Sequence, residues 1–389
     1  MIPAPLRRAG LVVTAALAVL LALATPAAAH GADAPDGSDY RAEVTAIGPA
    51  RAGLTARMIE AGARLELTNR TGRDVEVNGY SGEPYLRIGP GGVYENTRSP
   101  ATYLNRTIAG DTQLPPEADP AATPVWRRVD DGPSARWHDQ RTLWLESTPP
   151  PQVSADQTRQ QRIREWVVPL RAGDETIEVR GTLDWVPPPD AYPWWVAATL
   201  VFLLIGAAGL VPAGTATGVR ALRAVGGLLA LGGAATVAFT VGRMLDAGAE
   251  GVGGVLLGLV GGQLWTLLTG LGAVAAGGYA LARREAADFA LALAGACLVL
   301  FAGVANLAVL SRSVAPVAGP AALARVLVAL ILATGAGAVA AGVLRLHAAF
   351  RAARHAPHHP RPAAIEHVLE NAAREMGQDG RGAVRGSKP

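Results

Sequence analysis

Two histidines and one aspartate in the first half of the chain could together hold a metal ion. Between residues 30 and 193 the only histidines are His30 and His138, and Asp139 directly follows the second. The small residues Ala27–Ala29 are typical of a signal-peptidase site, so cleavage after Ala29 would make His30 the mature N-terminus. Its free amine and Nδ1, the imidazole of His138 and the carboxylate of Asp139 form a donor set that suits Cu(II). These residues therefore predict a copper site.

The same residues have a simpler interpretation. His30 can be the residue at which cleavage happens to fall, and His138 can be a strand-edge histidine that pairs with a nearby acid. Asp139 can bind the metal itself, or it can orient the His138 ring without contacting the metal. The sequence leaves these alternatives open.

Signatures of catalysis are absent from the sequence. It contains no Gly-x-Ser-x-Gly motif, no P-loop and no dinucleotide-binding fingerprint. The pair His138 and Asp139 does not make a triad by itself, because adjacent side chains on a strand face opposite sides. The single cysteine, Cys297, lies in an apolar run, which excludes a disulfide scaffold in the first half. We predict that the protein is not an enzyme.

Charge and hydropathy divide the chain into two parts. Half of the 389 residues are hydrophobic, and the mean hydropathy is +0.23. Residues 30–193 carry 18 Arg against 24 acidic residues, whereas residues 194–389 carry 15 Arg plus Lys against 8. The basic excess thus lies in the apolar half, which is typical of membrane topology and does not indicate a nucleic-acid partner.

Residues 1–29 have the pattern of a signal peptide. Arg7 and Arg8 precede the apolar stretch Leu11–Leu23, which is short for a membrane span, and Ala29 precedes the expected cut. An uncleaved N-terminal anchor is the alternative.

Residues 30–186 are predicted to form an exported domain made of strands. Several short segments alternate between apolar and polar residues or are rich in β-formers, and Gly- or Pro-containing turns separate them. These segments are Arg41–Ile47, Arg64–Thr68, Asp74–Val77, Pro84–Ile88, Arg141–Leu145, Trp166–Leu170 and Thr176–Trp185. The Pro- and acid-rich stretch 111–125 reads as a long loop. About seven strands without helical periodicity favour an all-β immunoglobulin-like sandwich.

The second half is predicted to be an all-α bundle of five transmembrane helices over residues 194–345. A Pro-rich linker at 187–193 precedes it, and a basic tail at 346–389 follows. Each apolar run is long enough to cross about 30 Å of hydrocarbon. The runs are 195–212, 222–242, 254–281, 287–310 and 322–344.

Charge at the ends of the spans predicts the orientation. With the N-terminal domain outside the plasma membrane, Arg220, Arg223, Arg283 and Arg284 fall on the cytoplasmic side, together with the C-terminal tail. This agrees with the positive-inside rule and with a cleaved signal peptide.

The spans themselves are poor in polar residues. None has an ionisable residue at its centre, which argues against an ion-coupled transporter and leaves a small-solute facilitator open. Gly254, Gly258 and Gly262 recur at four-residue spacing. They predict either a homo-oligomer contact or close packing within the same bundle.

Five segments of the first half resemble a family of exported multispanning membrane proteins of actinobacteria. They are 65–72, 82–90, 99–106, 136–139 and 166–170. This resemblance covers most of residues 40–190, whereas the membrane part is similar only in character. It implies the architecture described above and no particular activity.

A second resemblance is to CopC-like copper-handling proteins, through His30 and the later pair His138 and Asp139. It implies an immunoglobulin-like sandwich whose mature N-terminal histidine binds copper. The order His138-Asp139 departs from the Asp-x-His of that pattern, and the spans lack the histidines and the helix number of a CopD-like membrane domain.

Three functions fit these patterns. The first is an exterior β-sandwich that binds copper for sensing, storage or delivery. The second is a non-enzymatic structural or interaction module that binds an envelope protein. The third is a small-solute facilitator, and the bilayer is the surrounding partner in all three.

Overall fold

The computed structural model describes residues 36–355. The predicted signal peptide, His30 and all of the basic tail beyond His355 lie outside the described residues.

The first part is a β-domain with ten strands among the described residues. They are β1 (Tyr40–Gly48), β2 (Leu54–Ile59), β3 (Arg64–Asn69), β4 (Val75–Asn78), β5 (Pro84–Gly89), β6 (Gly92–Asn96), β7 (Trp126–Asp130), β8 (Ser134–Trp137), β9 (Gln161–Ala172) and β10 (Glu175–Trp185). Seven of them form an antiparallel sheet in the order β1-β10-β9-β4-β5-β6-β7, and β2-β3-β8 form a second antiparallel sheet. Two short helices, α1 (Ala101–Leu104) and α2 (Pro151–Ala155), lie in the connections.

Both sheets contribute to one hydrophobic core. Leu65 and Leu67 of β3 are fully buried, as are Val168, Ile177 and Val179 of the larger sheet. Alternation along each strand sends every second side chain inward, and burial of each large aliphatic side chain stabilises the fold by about 1.5–3 kcal/mol. The all-β class is confirmed, whereas the immunoglobulin-like assignment stays a prediction.

One predicted strand is wrong. Gln140–Thr142 form a 3-10 turn, and no strand covers Arg141–Leu145. The cause is Asp139, whose carboxylate accepts a hydrogen bond from the backbone amide of Arg141 at 3.1 Å and so starts the turn.

The second part is helical, and the prediction of five long apolar helices is confirmed. Its helices are α3 (Tyr192–Ala207), α4 (Ala216–Asp246), α5 (Gly251–Gly262), α6 (Leu264–Leu281), α7 (Ala287–Cys297) and α8 (Ala321–His355). Helix α3 continues to Leu210, and α7 continues to Leu310 through π- and 3-10 turns. Five helices of the described chain are long and apolar enough to cross a membrane, which indicates a multi-pass membrane protein.

The third predicted span is interrupted. Gln263 leaves helical geometry, with φ −129° and ψ 19°, and separates α5 from α6. With 12 residues, α5 is about 18 Å long and too short to cross about 30 Å of hydrocarbon.

Glycines set the distance between α4 and α6. A Cβ placed on Gly233 would lie 2.4 Å from the carbonyl oxygen of Gly270, so the two backbones touch at this point. Of the glycines predicted for an oligomer contact, Gly258 instead faces Met244 at the end of α4, and Gly254 lies beside Ala249. The contact of Gly258 agrees with packing within the bundle, Gly254 meets only the turn before its own helix, and a Cβ on Gly262 would have no neighbour within 4 Å. An oligomer through these glycines stays a prediction.

The β-domain rests on one end of the bundle through two sets of polar contacts. Asp39 is buried and accepts hydrogen bonds from Arg312 Nη1 at 2.6 Å and from the backbone amide of Ser313 at 3.0 Å. Asp246, the last residue of α4, accepts from the backbone amide of Ala61 at 2.8 Å through its carboxylate. The start of the predicted linker is held as well, because the Ser313 hydroxyl lies 2.7 Å from the carbonyl oxygen of Val186 and 2.9 Å from that of Pro187.

Candidate functional site

The predicted metal ligand His138 lies just after β8 and is only 1% exposed. Its Nδ1 is 2.9 Å from the carbonyl oxygen of Ala63, and its Nε2 is 3.0 Å from Nε of Arg64. A carbonyl can only accept and a guanidinium can only donate, so these two contacts place a proton on Nδ1 and make Nε2 the acceptor. A metal ion at either nitrogen would have to replace one of these two partners.

Asp139 is fully buried and makes four hydrogen bonds that do not involve His138. Its Oδ2 accepts from Trp137 Nε1 at 2.9 Å and from Arg141 Nη2 at 2.7 Å. Its Oδ1 accepts from the backbone amide and from Nε of Arg141, at 3.1 and 2.8 Å. Burial lowers the pKa of Arg141, and the hydrogen bonds and charge of Asp139 raise it, with a net rise above the usual value. These bonds give the carboxylate a structural role in the turn.

His138 and Asp139 are adjacent in the chain, but their side chains hydrogen-bond to different sets of residues. Within residues 36–355 no group of three or more His, Cys, Asp or Glu side chains is placed to hold a metal ion. Because His30 lies outside the described residues, the copper site of His30, His138 and Asp139 stays a prediction.

A cavity of about 450 Å³ opens where the β-domain meets the bundle. We call it the junction cavity. Its roof is formed by the three-stranded sheet and the residues next to it, and its floor by the end of α4, the following turn and α5. The lining residues are Glu66, Arg70, Pro133, Ser134, Arg136, Met244, Ala247, Gly248, Ala249, Glu250, Gly254 and Gly258. Its volume is within the range of small-ligand sites.

Strand register places a buried carboxylate between two arginines in the roof. Glu66 of β3 is paired with Arg57 of β2 on one side and with Arg136 of β8 on the other. The Glu66 side chain is 5% exposed; its Oε1 accepts from Arg136 Nε at 2.7 Å, and its Oε2 accepts from Arg57 Nε. Because Leu65 and Leu67 point into the core, Glu66 must point to the opposite face, toward the bundle.

The same two arginines, Arg57 and Arg136, also contact the backbone of the helix bundle. Arg136 Nη2 donates to the carbonyl oxygen of Gly248 at 3.1 Å, and Arg57 Nη2 lies 3.5 Å from the same oxygen. Gly248 has φ +81°, and a Cβ there would lie 3.1 Å from Arg57 Nη2 and from Glu66 Oε1. Two independent features favour glycine at this position, its backbone conformation and the tight approach of charged groups.

A second carboxylate, Glu250, is held loosely at the edge of the cavity. It lies 3.9 Å from Arg57 Nη2 and 3.9 Å from Arg70 Nη2, and both Glu250 and Arg70 are mostly exposed. Exposed pairs at such distances contribute about 0–1 kcal/mol, so an anion could exchange with Glu250 at little cost.

Sequence reasoning did not identify Glu66 and Arg136. A charged residue between two leucines in β3 was a weak signal, since it shows only that Glu66 lies on the face away from the core. Its partners became apparent from the strand register.

The five long apolar helices indicate a protein of the multi-pass membrane class. A two-sheet β-domain rests on one end of the helix bundle, and a cavity lined by charged residues lies between the two parts. No protein-family profile, no curated protein and no solved structure matches the chain.

Proposed function

We propose that the protein is a non-enzymatic membrane protein that binds a small anionic ligand in the junction cavity, with the β-domain on the outer side of the plasma membrane. The observation that carries the proposal is the composition of the cavity. Two structural parts build it jointly, and Arg70 and Arg136 line its roof. A ligand in this position would contact the β-domain and the bundle at the same time.

The charge around the cavity favours an anion. Glu66 is already neutralised by Arg57 and Arg136, whereas Arg70 reaches Glu250 only at 3.9 Å. Arginine presents several donors in a planar fork that matches carboxylate and phosphate groups. We therefore expect a carboxylate or phosphate group to displace Glu250 and bind to Arg70.

Binding suits the cavity better than catalysis does. Its buried carboxylate, Glu66, has one oxygen bonded to Arg57 and the other to Arg136, so both oxygens are already engaged within the protein. The hydroxyl of Ser134 hydrogen-bonds Thr68 at 2.8 Å, and among the described residues no hydrogen bond joins it to a carboxylate or an imidazole that could act as a base.

Sensing is the mode of action that we propose. A ligand that touches both parts binds best when they are docked, so its binding free energy would favour the docked arrangement. The outward orientation is supported by the four arginines at the far ends of the helices and by the aromatic residues Tyr192 and Trp195 at the start of α3.

Anion binding can be tested on the full chain purified in detergent, with inorganic phosphate and glycerol 3-phosphate as probes. We expect either probe to raise the midpoint of thermal unfolding in the wild type and in an Arg128→Gln control, an exposed arginine of β7 outside the cavity. In Arg70→Gln the increase should be much smaller. An equal increase in all three proteins, or none in the wild type with either these probes or anionic lipid, would contradict the proposal.

A further inference from the structure

We infer that the natural ligand of the junction cavity is an anionic membrane phospholipid whose phosphate binds to Arg70 and whose acyl chain lies along α5. This inference rests on the proposed function, because it names the anion that the cavity would take.

The floor of the cavity continues into an apolar helix surface. Gly254 and Gly258 of α5 line the cavity. The other faces of the same helix carry aliphatic side chains that are 56–78% exposed, namely Val252, Leu256, Leu257 and Val260. In a bundle that crosses a membrane, aliphatic side chains with this exposure face lipid.

The break at Gln263 makes α5 a short helix of its own. Because α5 and α6 are separate helices, α5 does not follow α6 along α4. At Gly258 it approaches Met244, where a Cβ would lie 2.7 Å from the sulfur. At Gly254 there is more room, since a Cβ there would be 3.7 Å from its nearest neighbour. Because neither glycine carries a side chain, the cavity extends to the α5 backbone at these two positions, and we call this glycine-lined part of the floor the channel.

The cavity is charged at its roof and mostly apolar at its floor, just as a phospholipid is charged at its headgroup and apolar along its acyl chains. The roof holds the guanidinium groups of Arg70 and Arg136, with Glu66 paired to arginine. The floor holds glycine backbone, alanine and methionine side chains, and Glu250 is its one charged residue. Arg57, Arg70 and Arg136 together with Glu66 and Glu250 leave one positive charge, which matches one phosphodiester. A free anion would use only the roof and leave the channel empty, whereas a lipid uses both.

Channel and headgroup can be tested separately with matched variants. Gly254→Leu fills the channel and leaves the arginines in place. Gly253→Leu makes the same change one residue away, where a Cβ would have no neighbour within 4 Å and the residue does not line the cavity. Arg70→Gln weakens the phosphate contact, and Arg128→Gln is its control.

The experiment measures phosphatidylglycerol and phosphatidylcholine bound per chain, by native mass spectrometry of the full chain after delipidation and titration. We expect one tightly bound phosphatidylglycerol in the wild type, Gly253→Leu and Arg128→Gln, and about tenfold weaker binding in Gly254→Leu and Arg70→Gln. Thermal unfolding of each variant without lipid identifies any loss that comes from misfolding. If a variant misfolds, the inference is tested instead by whether the wild type binds phosphatidylglycerol more tightly than phosphatidylcholine.

The outcomes separate the two proposals. Equal binding of both lipids, or equal binding by all folded variants, would overturn the lipid inference. If phosphate or glycerol 3-phosphate stabilises the wild type through Arg70 while phosphatidylglycerol shows no selectivity, the lipid inference fails and the anion site stands. If neither lipid nor soluble phosphate binds, both proposals fail.

Discussion

The carboxylate of Glu66 meets the guanidinium of Arg136 at 2.7 Å across two neighbouring strands, at the place where the β-domain rests on the helix bundle. The same guanidinium donates to the carbonyl oxygen of Gly248 in the turn after α4. A single side chain therefore connects a buried charge of the β-domain with the backbone of the bundle. The stability of the junction should depend on this relationship.

Replacing Glu66 with glutamine should destabilise the protein by about 1–3 kcal/mol, because two guanidinium groups lose their buried counter-charge. Thermal unfolding of the full chain in detergent measures the loss. Glu178→Gln is the control, since Glu178 pairs with Arg180 at the surface of the larger sheet and should cost less than about 1 kcal/mol. Equal effects of the two substitutions would show that the Arg-Glu-Arg arrangement is not a stabilising contact.

Replacing Gly248 with alanine should loosen the junction for two reasons, the positive φ and the tight approach of charged groups, which lie 3.1 Å from the new Cβ. Gly173→Ala provides the matched control, because Gly173 has φ +65° but no atom within 4 Å of a Cβ. Backbone strain should cost about 1–2 kcal/mol in both variants. Any further loss of stability in Gly248→Ala, measured as a lower midpoint of thermal unfolding, comes from the tight approach of the charged groups. Identical losses in the two variants would show that the charged groups do not crowd position 248.

Asp39→Asn should weaken the second docking contact. The Asp39 side chain is 5% exposed and accepts hydrogen bonds from Arg312 and Ser313. We expect faster hydrogen exchange at residues 311–314 and faster proteolysis of the Pro-rich linker, with the core strands unchanged. Asp131→Asn, at an exposed ion pair with Arg128, should change neither. Unchanged exchange in Asp39→Asn would mean that the docking does not depend on this carboxylate.

The predicted copper site requires the free amine of His30. A Cu(II) titration should therefore show that adding one residue before His30 weakens binding by orders of magnitude, since both the amine and its chelate ring are lost. His138→Gln should also weaken binding, and its unfolding midpoint shows whether the loss of the bonds to Ala63 and Arg64 has disturbed the fold. If the extended N-terminus leaves affinity unchanged, the copper hypothesis is wrong.

Local patterns made much of the architecture predictable. Alternation placed Leu65 and Leu67 in the core, and apolar runs indicated the five long helices. These signals arise within one strand or one helix, where the period of the side chains decides which face is buried. The kink at Gln263 escaped prediction because the apolar run has no proline there and continues on both sides. The turn at Gln140 was not predicted because residues 141–145 also fit a strand. The capping hydrogen bond to Asp139 favours the turn instead.

By itself, the sequence determined the all-β first part, the long apolar helices and the charge balance of each half, since all three follow from residues close together in the chain. Only the tertiary structure decided which charged groups meet. Glu66 and Arg136 are 70 residues apart, and Asp39 and Arg312 are 273 residues apart. Their contacts depend on strand register and on how the two parts dock, and neither is encoded in any single stretch of sequence. For the same reason, the junction cavity has no counterpart in a local motif.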